Sequence, residues 1–306
     1  MADAIVLQDV SKKYGSFEAL RGVTLSIAKG TVFGLLGPNG AGKTTTLRIC
    51  STLLKPTHGR IFFDGKEINT DLAGIRRSLA EMPQGHALDL LLNVEDNLRF
   101  YCKLRKVPAR MSEFEIEKAV EIFGLGDFRK KGVLALSGGQ FRRAQLARTF
   151  LGKPKYILLD EPSLGIDIQG KLAMWQAIKE YVSDNTCTIL LASNDVTEVE
   201  RTCGRVGFIR DGELLYVGKK DNLSGEIKVK LTVNLSRHCR FSENLSADNI
   251  KVVQGSDTVI TLEFAEYTRD VLCFLEALRK KFGITSMSET KTSLTDLFDR
   301  YGTRPK

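Results

Sequence analysis

The stretch that decides the reading is Val32-Phe33-Gly34-Leu35-Leu36-Gly37-Pro38-Asn39-Gly40-Ala41-Gly42-Lys43-Thr44-Thr45. Val32–Leu36 is an apolar run with little alternation, the pattern of a strand buried on both faces. Gly37 to Thr44 then fits the spacing GxxxxGK with Ser or Thr last, and an apolar segment starts at Thr44, so strand–loop–helix is the expected order. Glycines let successive backbone N–H groups turn inward around phosphate, and the following helix points its positive end at the same place. Lys43 supplies a mobile cation for the outer phosphates, and the Thr44 hydroxyl can ligate Mg²⁺. A glycine-rich turn can also merely join a strand to a helix. The buried run before it and the helix after it favour the phosphate cradle, to which Gly37, Pro38, Asn39, Gly40, Ala41, Gly42, Lys43, Thr44 and Thr45 are assigned.

Two further apolar runs, Tyr156–Leu159 and Thr188–Ala192, share the two-sided burial pattern, so a parallel sheet covered by helices is expected. Tyr156–Leu159 ends in Asp160-Glu161-Pro162. Side chains alternate along a strand, so the two carboxylates point in different directions. Asp160 can hold Mg²⁺ through water, while Glu161 can face a γ-phosphate and polarise the attacking water. Alone, such an ending reads as an exposed loop; beside a phosphate loop it reads as chemistry. Towards the N-terminus, Ile5–Val10 and Val23–Ile27 read as half-buried strands, and Gly59–Asp64 as another. Between Val94 and Phe150 the pattern is mainly helical, broken at Pro108, Gly124, Gly126 and Ser137-Gly138-Gly139.

Past about Leu223 the character changes. Ile227, Val229, Leu231, Val233 and Leu235 alternate strictly with polar residues, a strand with one wet face. Ile250–Val253 and Val259–Phe264 flank a turn at Gly255-Ser256-Asp257, and Val271, Phe274, Leu275, Leu278 and Phe282 share one helix face. A last helix is expected from Ser293, with Asp296 as its capping-box partner.

The 306 residues are 42% hydrophobic and 27% charged, with a formal net charge of +8 and six cysteines. These proportions suit a globular protein of one large and one small domain. Mean hydropathy is −0.12, and no apolar run approaches the ~20 residues of a membrane-spanning helix. Met1 to Val10 has no basic region followed by an apolar stretch, so secretion is not expected. Cys50, Cys102, Cys187, Cys203, Cys239 and Cys273 are scattered without a CxxC pair, which points to reduced, mostly buried thiols and no structural metal. Lys and Arg are spread along the chain, with only short pairs such as Arg76-Arg77, and read as solvated charge.

Leu136-Ser137-Gly138-Gly139-Gln140 settles the family. It stands a short helix upstream of the Asp160-Glu161 strand and matches the signature motif of the ABC (ATP-binding cassette) ATPases, which Ile5 to about Leu223 resembles in order and spacing. The resemblance implies that Tyr14 stacks on adenine, and that Gln84 in Met82-Pro83-Gln84 senses Mg²⁺ and meets the membrane subunit. It makes Ser163-Leu164-Gly165-Ile166-Asp167 the turn that crosses a dimer interface. It further implies a head-to-tail dimer in which Ser137, Gly138, Gly139 and Gln140 of one subunit close over ATP on the other. A Ser-Gly-Gly turn at a helix start is itself an anion site, since its N–H groups face outward.

The expected fold is α/β, a P-loop NTPase core of the ABC type with an N-terminal antiparallel β-subdomain and a helical signature subdomain, plus a small C-terminal α+β domain. Residues 1–224 form the ATP-binding domain, with its helical part at about 88–150, and residues 225–306 the accessory domain. ATP and Mg²⁺ are the implied ligands. A second ATP-binding subunit and transmembrane permease subunits are the implied partners at the cytoplasmic face of the membrane; no nucleic acid is expected. Thr292 to Phe298 resembles the tails of drug-resistance, polysaccharide and haem exporters, which favours export. The chain departs from the family at one place. Where a histidine usually reaches the γ-phosphate it has Ser193-Asn194-Asp195, and Asn194 can still donate a hydrogen bond but cannot become cationic. Asn194 motivates one alternative, a catalytically weak half of a heterodimer; the net positive charge is the only hint of another, a soluble ABC ATPase outside transport, which the single uninterrupted cassette disfavours.

Overall fold

The computed structural model of the chain describes residues 2–85, 87–184, 187–220, 229–238, 250–264 and 267–291. Its contacts divide the chain into two units, Met1–Lys220 and Asp221–Pro305.

The first unit opens with a hairpin, β1 (Asp3–Tyr14) and β2 (Phe17–Ala28), paired antiparallel from Asp3↔Ala28 to Tyr14↔Phe17. The strands run beyond the apolar alternation of Ile5–Val10 and Val23–Ile27, because ladder pairing carries polar residues such as Lys12 and Lys13 along with it. β3 (Val32–Leu36) leads into α1 (Lys43–Cys50), and β4 (His58–Phe63) and β5 (Lys66–Glu67) complete a sheet of order β2-β1-β4-β5. Then come α2 (Leu72–Ser78), β6 (Leu79–Met82), α3 (Val94–Leu104), α4 (Ala109–Ile122) and α5 (Gly138–Phe150). The breaks foreseen in the helical stretch fall at helix ends: Pro108 is the N-cap of α4, Gly124 follows it, and Ser137 caps α5.

A second sheet holds the site. β7 (Tyr156–Asp160), α6 (Ile168–Asp184), β8 (Thr188–Ser193), α7 (Val196–Thr202), β9 (Arg205–Arg210) and β10 (Glu213–Lys219) give it the order β10-β9-β3-β8-β7-β6. From β9 to β6 it is parallel, and β10 adds an antiparallel edge. Every residue of β3, β7 and β8 is buried, as continuous apolar runs require. The C-terminal ends of β3, β7 and β8 therefore emerge side by side, with Leu36 beside Ser193 and Asp160 beside Ala192. Ligands of open α/β sheets bind at this edge.

In the second unit, β11 (Val229–Leu235), β12 (Lys251–Gly255), β13 (Val259–Phe264) and β14 (Ile284–Lys291) form an antiparallel sheet of order β12-β13-β11-β14, with α8 (Arg269–Phe282) between β13 and β14 in sequence. Leu231, Val233 and Leu235 meet Ile260, Leu262, Val271 and Leu278 in its core. The alternation placed β11, the runs at Ile250–Val253 and Val259–Phe264 placed β12 and β13, and the shared apolar face placed α8; β14, polar along most of its length, gave no such signal. The helix expected from Ser293 lies outside the described residues.

Cys50, Cys102, Cys187 and Cys203 are buried and free, and Cys273 is exposed. Among the described residues no helix is long and apolar enough to cross a membrane, and no cluster of His, Cys, Asp and Glu could hold a metal ion.

Candidate nucleotide site

The loop between β3 and α1 is glycine-rich for steric reasons. A Cβ on Gly37 would collide with the Ile209 carbonyl, and Gly42 has φ 108°, with a Cβ there 2.8 Å from the Ala19 carbonyl. Gly42 caps α1 without any side-chain hydrogen bond. The first N–H groups of α1 are thus left for an external acceptor. Lys43, only 6% exposed, folds back over the loop, donating to the carbonyls of Gly37 at 2.8 Å and Pro38 at 3.1 Å. Its Nζ also lies 3.3 Å from Glu161 Oε1.

The two carboxylates at the end of β7 part as alternation predicts. Asp160 is buried, its Oδ1 has no hydrogen-bond partner, and its other partner is Thr44. Burial pushes its carboxyl up, and the charge of Glu161 adds to this, while the Thr44 hydrogen bond opposes it. An orphaned buried carboxylate oxygen beside a threonine hydroxyl fits a divalent cation with oxygen ligands. Glu161 has φ 48°, a left-handed conformation that costs a non-glycine residue about 1–3 kcal/mol. Its N–H donates to the Ala192 carbonyl at the end of the β7–β8 ladder, and its Oε1 faces Lys43.

Asn194 joins this group. Its backbone N–H donates to Glu161 Oε2 at 3.4 Å, and its side-chain amide donates to Asn39 Oδ1 at 3.1 Å. The structure thus brings Asn39, Lys43, Thr44, Asp160, Glu161 and Asn194 together at one sheet edge. Gln84 is exposed two residues past β6, whose Met82 is in register with Leu159 of β7.

Tyr14 ends β1, 45% exposed, with Lys12 Nζ 5.4 Å from its ring centroid, and no described contact joins it to the phosphate loop. The signature residues also stand apart from that loop. Ser137 accepts from the Gln140 N–H at 3.3 Å and its own N–H donates to Gln140 Oε1 at 3.1 Å, a complete capping box. A Cβ on Gly138 would meet the Gly165 carbonyl at 3.8 Å, so the signature sits beside the turn at 163–167.

Sequence reasoning missed residues that hold the site. Arg142 donates to the Gln84 carbonyl at 2.7 Å, Gln145 to that of Gly85 at 2.7 Å, and Arg148 to that of Ala87 at 2.7 Å. Burial pulls the Arg142 guanidinium down, and the charges of Asp160 and Glu161 act against this. The spacing of three along one helix face was the available signal.

A buried lysine over a glycine loop, a carboxylate with one unpartnered oxygen and a threonine at a parallel-sheet edge define a protein that handles nucleoside triphosphates. The family is given by comparison. Residues 20–164 match the ABC transporter family. The chain is 36% identical to the daunorubicin resistance ATP-binding protein DrrA3 of Streptomyces coeruleorubidus, over 74% of this chain and 72% of that one. It is 32% identical to the linearmycin resistance ATP-binding protein LnrL of Bacillus subtilis strain 168, over 95% of this chain and 96% of that one. A dimeric ATP-binding cassette, MJ0796, in a post-hydrolysis state bound to ADP and Pi superposes with a TM-score of 0.65 and 26% identity, over 70% of this chain and 98% of the other. This chain belongs to the ABC transporter family, as an ATP-binding subunit.

Proposed function

We propose that the chain is the MgATP-hydrolysing subunit of an ABC exporter, working as a dimer on the cytoplasmic face of membrane-spanning partner subunits. The observation that carries the catalytic reading is the convergence of Lys43, Glu161 and Asn194 at the mouth of the glycine loop. The open N–H groups of α1 and the backbone of Gly37 to Gly42 take the phosphates, and Lys43 exchanges its carbonyl partners for the outer phosphate oxygens. Tyr14 offers its exposed ring to adenine, worth ~1–3 kcal/mol by stacking. The Thr44 hydroxyl, Asp160 and Gln84 would hold Mg²⁺, which neutralises charge on the phosphate oxygens. Glu161, released from Lys43 by the incoming phosphate, orients and polarises water for attack on the γ-phosphorus. Ser137, Gly138, Gly139 and Gln140 of a second subunit close over the nucleotide.

Export is favoured by the drug-resistance proteins among the relatives. A second reading, a hydrolytically weak half of a heterodimer, is favoured by Asn194, whose amide is engaged with Asn39. Co-purification of the chain with its membrane partner, followed by MgATP turnover in proteoliposomes, tests the proposal. Turnover that rises with the partner and its cargo supports it. A wild-type chain that binds ATP without turning it over, alone or with the partner, leaves only the weak-half reading.

A further inference from the structure

Beneath the loop that carries Asn194 lies a carboxyl group with no part in the chemistry above. Glu198, in the first turn of α7, is 0% exposed. Its Oε2 accepts from the Ser193 hydroxyl at 2.6 Å and its Oε1 from the Trp175 indole N–H at 3.3 Å. The Ser163 hydroxyl hydrogen-bonds to the same carboxyl. Ser193 closes β8, Trp175 lies on α6, and Ser163 lies in the turn at 163–167, so segments far apart in sequence meet on one side chain. The Ser193 Oγ in turn accepts the Asp195 N–H at 2.9 Å, which holds the backbone on both sides of Asn194. The Asn194 N–H is the one that donates to Glu161. A parallel link, Lys171 Nζ to Asp195 Oδ2 at 2.6 Å, is about a quarter exposed and correspondingly weaker.

We propose that Glu198 is a positioning residue for hydrolysis, a buried tie that makes the loop bearing Asn194 move as one with the turn at 163–167 and with α6. This rests on the reading of Glu161 as the group that polarises water. Leu164 in that turn is half-exposed and its neighbour Gly165 faces Gly138. A body pressing on the turn is therefore felt at Glu161 by way of Ser163, Glu198, Ser193 and Asn194. The carboxyl is also poised to change charge. Burial above all, with the charge of Asp195 added, pushes it up to about 7. The other charged or titratable groups around it are Lys171 of α6, paired with Asp195, Arg201 over the Trp175 ring, and the buried Cys203 thiol at the end of α7. Below that pH the carboxyl donates one hydrogen bond, and above it the group only accepts.

The test compares wild type, Glu198→Gln, Glu198→Ala and Ser163→Ala by two measurements. Hydrogen exchange on the nucleotide-free protein reads the tie without any turnover. Glu198→Ala should exchange ~10-fold faster in peptides spanning 163–167 and 193–195, and Ser163→Ala should speed exchange at 193–195 as well. In steady-state MgATP turnover, Glu198→Ala should lose ~10- to 100-fold in kcat with KM within ~2-fold. Glu198→Gln keeps the shape and an acceptor, so it should recover kcat to within ~3-fold of wild type and abolish the inflection of the kcat profile near neutral pH. Wild-type exchange in Glu198→Ala overturns the proposal, as does a glutamine variant no better than alanine at the wild-type melting temperature. Should Glu198→Ala fail to fold, unchanged exchange at 193–195 in Ser163→Ala overturns it alone. Absent turnover in the wild type counts against the hydrolytic reading, and the exchange data stand apart from it.

Discussion

Two glycine-rich turns in this chain each open a helix, and they are finished in opposite ways. The turn before α1 ends in Gly42, which provides no side-chain cap, and Lys43 behind it is buried. The turn before α5 is exposed, carries no lysine, and closes on itself through the Ser137–Gln140 capping box. The first leaves the opening N–H groups of its helix uncapped by any side chain and holds its cation on Glu161 and on the carbonyls of Gly37 and Pro38. The second is complete in the isolated chain. Each ending suits its proposed task, since a loop that wraps its own nucleotide can be buried, whereas a surface proposed to meet a partner's nucleotide must stay exposed and remain folded before it does. α5 also carries Arg142, Gln145 and Arg148, which donate to the carbonyls of Gln84, Gly85 and Ala87. Movement of the exposed turn is thereby tied to the segment that bears Gln84.

The comparison breaks most sharply at Lys43. With no other loop cation for the outer phosphates, Lys43→Ala should abolish turnover and weaken ATP binding ~100-fold or more, read by nucleotide titration. Wild-type turnover in that variant removes the contrast between the two turns. The next effect tests the exposed turn. Glu161→Gln should bind MgATP like wild type, lose turnover by ~10²–10³-fold, and accumulate as an ATP-bound dimer. Light scattering with and without ATP checks it. A variant that stays monomeric at saturating ATP, where the wild type dimerises, shows that the signature turn does not complete the site.

How much of this was legible follows the range of the interactions involved. The glycine loop, β3, β7 and β8, and the carboxylates at 160 and 161 were readable because each is specified by neighbours in sequence. Glu198 was not. In Val196-Thr197-Glu198-Val199-Glu200 it reads as an ordinary exposed helix glutamate, and only Trp175, 23 residues away, and Ser163 make it an interior one. β14 was missed for the same reason. Its polar residues take strand form by pairing with β11, from Val229↔Lys291 to Leu235↔Ile284. Tyr14 and Gln84 were proposed from the family pattern, and their described surroundings, an exposed ring and an exposed loop, contain no ligand-like partner that local sequence could have shown.

A smaller effect, in stability, sharpens the contrast between the buried site and the exposed turn. Burial raises the Glu198 carboxyl from 4.5 to about 7 in the fold. The unfolded chain releases that proton near 4.5 and the folded chain near 7, so the folded state binds more protons in between and stability falls as pH rises across that window. Below 4.5 both states hold the proton and nothing is lost; above about 7 the full cost is present, up to about 3 kcal/mol. Glu198→Gln should remove that slope. Urea midpoints of the two proteins should diverge between about pH 4.5 and pH 7 and run parallel outside it, whereas a constant offset across the range would mean that Glu198 titrates normally in the fold.

The smallest expected effect lies at Asn194, where binding and chemistry separate. In the proposed site, nucleotide affinity comes mainly from the backbone of the glycine loop, Lys43 and Tyr14, none of which the Asn194 side chain touches; its backbone N–H, not its amide, meets Glu161. The amide instead donates to Asn39 within the phosphate loop. Asn194→His supplies a cation toward charge that builds on the γ-phosphate, so kcat should rise, by ~10-fold at most, with KM for ATP unchanged, the pattern of an interaction made in the transition state. Asn194→Ala distinguishes the states of the wild type. If the amide leaves Asn39 to donate to phosphate during hydrolysis, alanine should slow turnover, again by up to ~10-fold; if it stays on Asn39, alanine should change little. Steady-state assays of the three proteins with the membrane partner present decide the matter. No gain with histidine and no loss with alanine would remove Asn194 from the catalytic group and favour the weak half of a heterodimer.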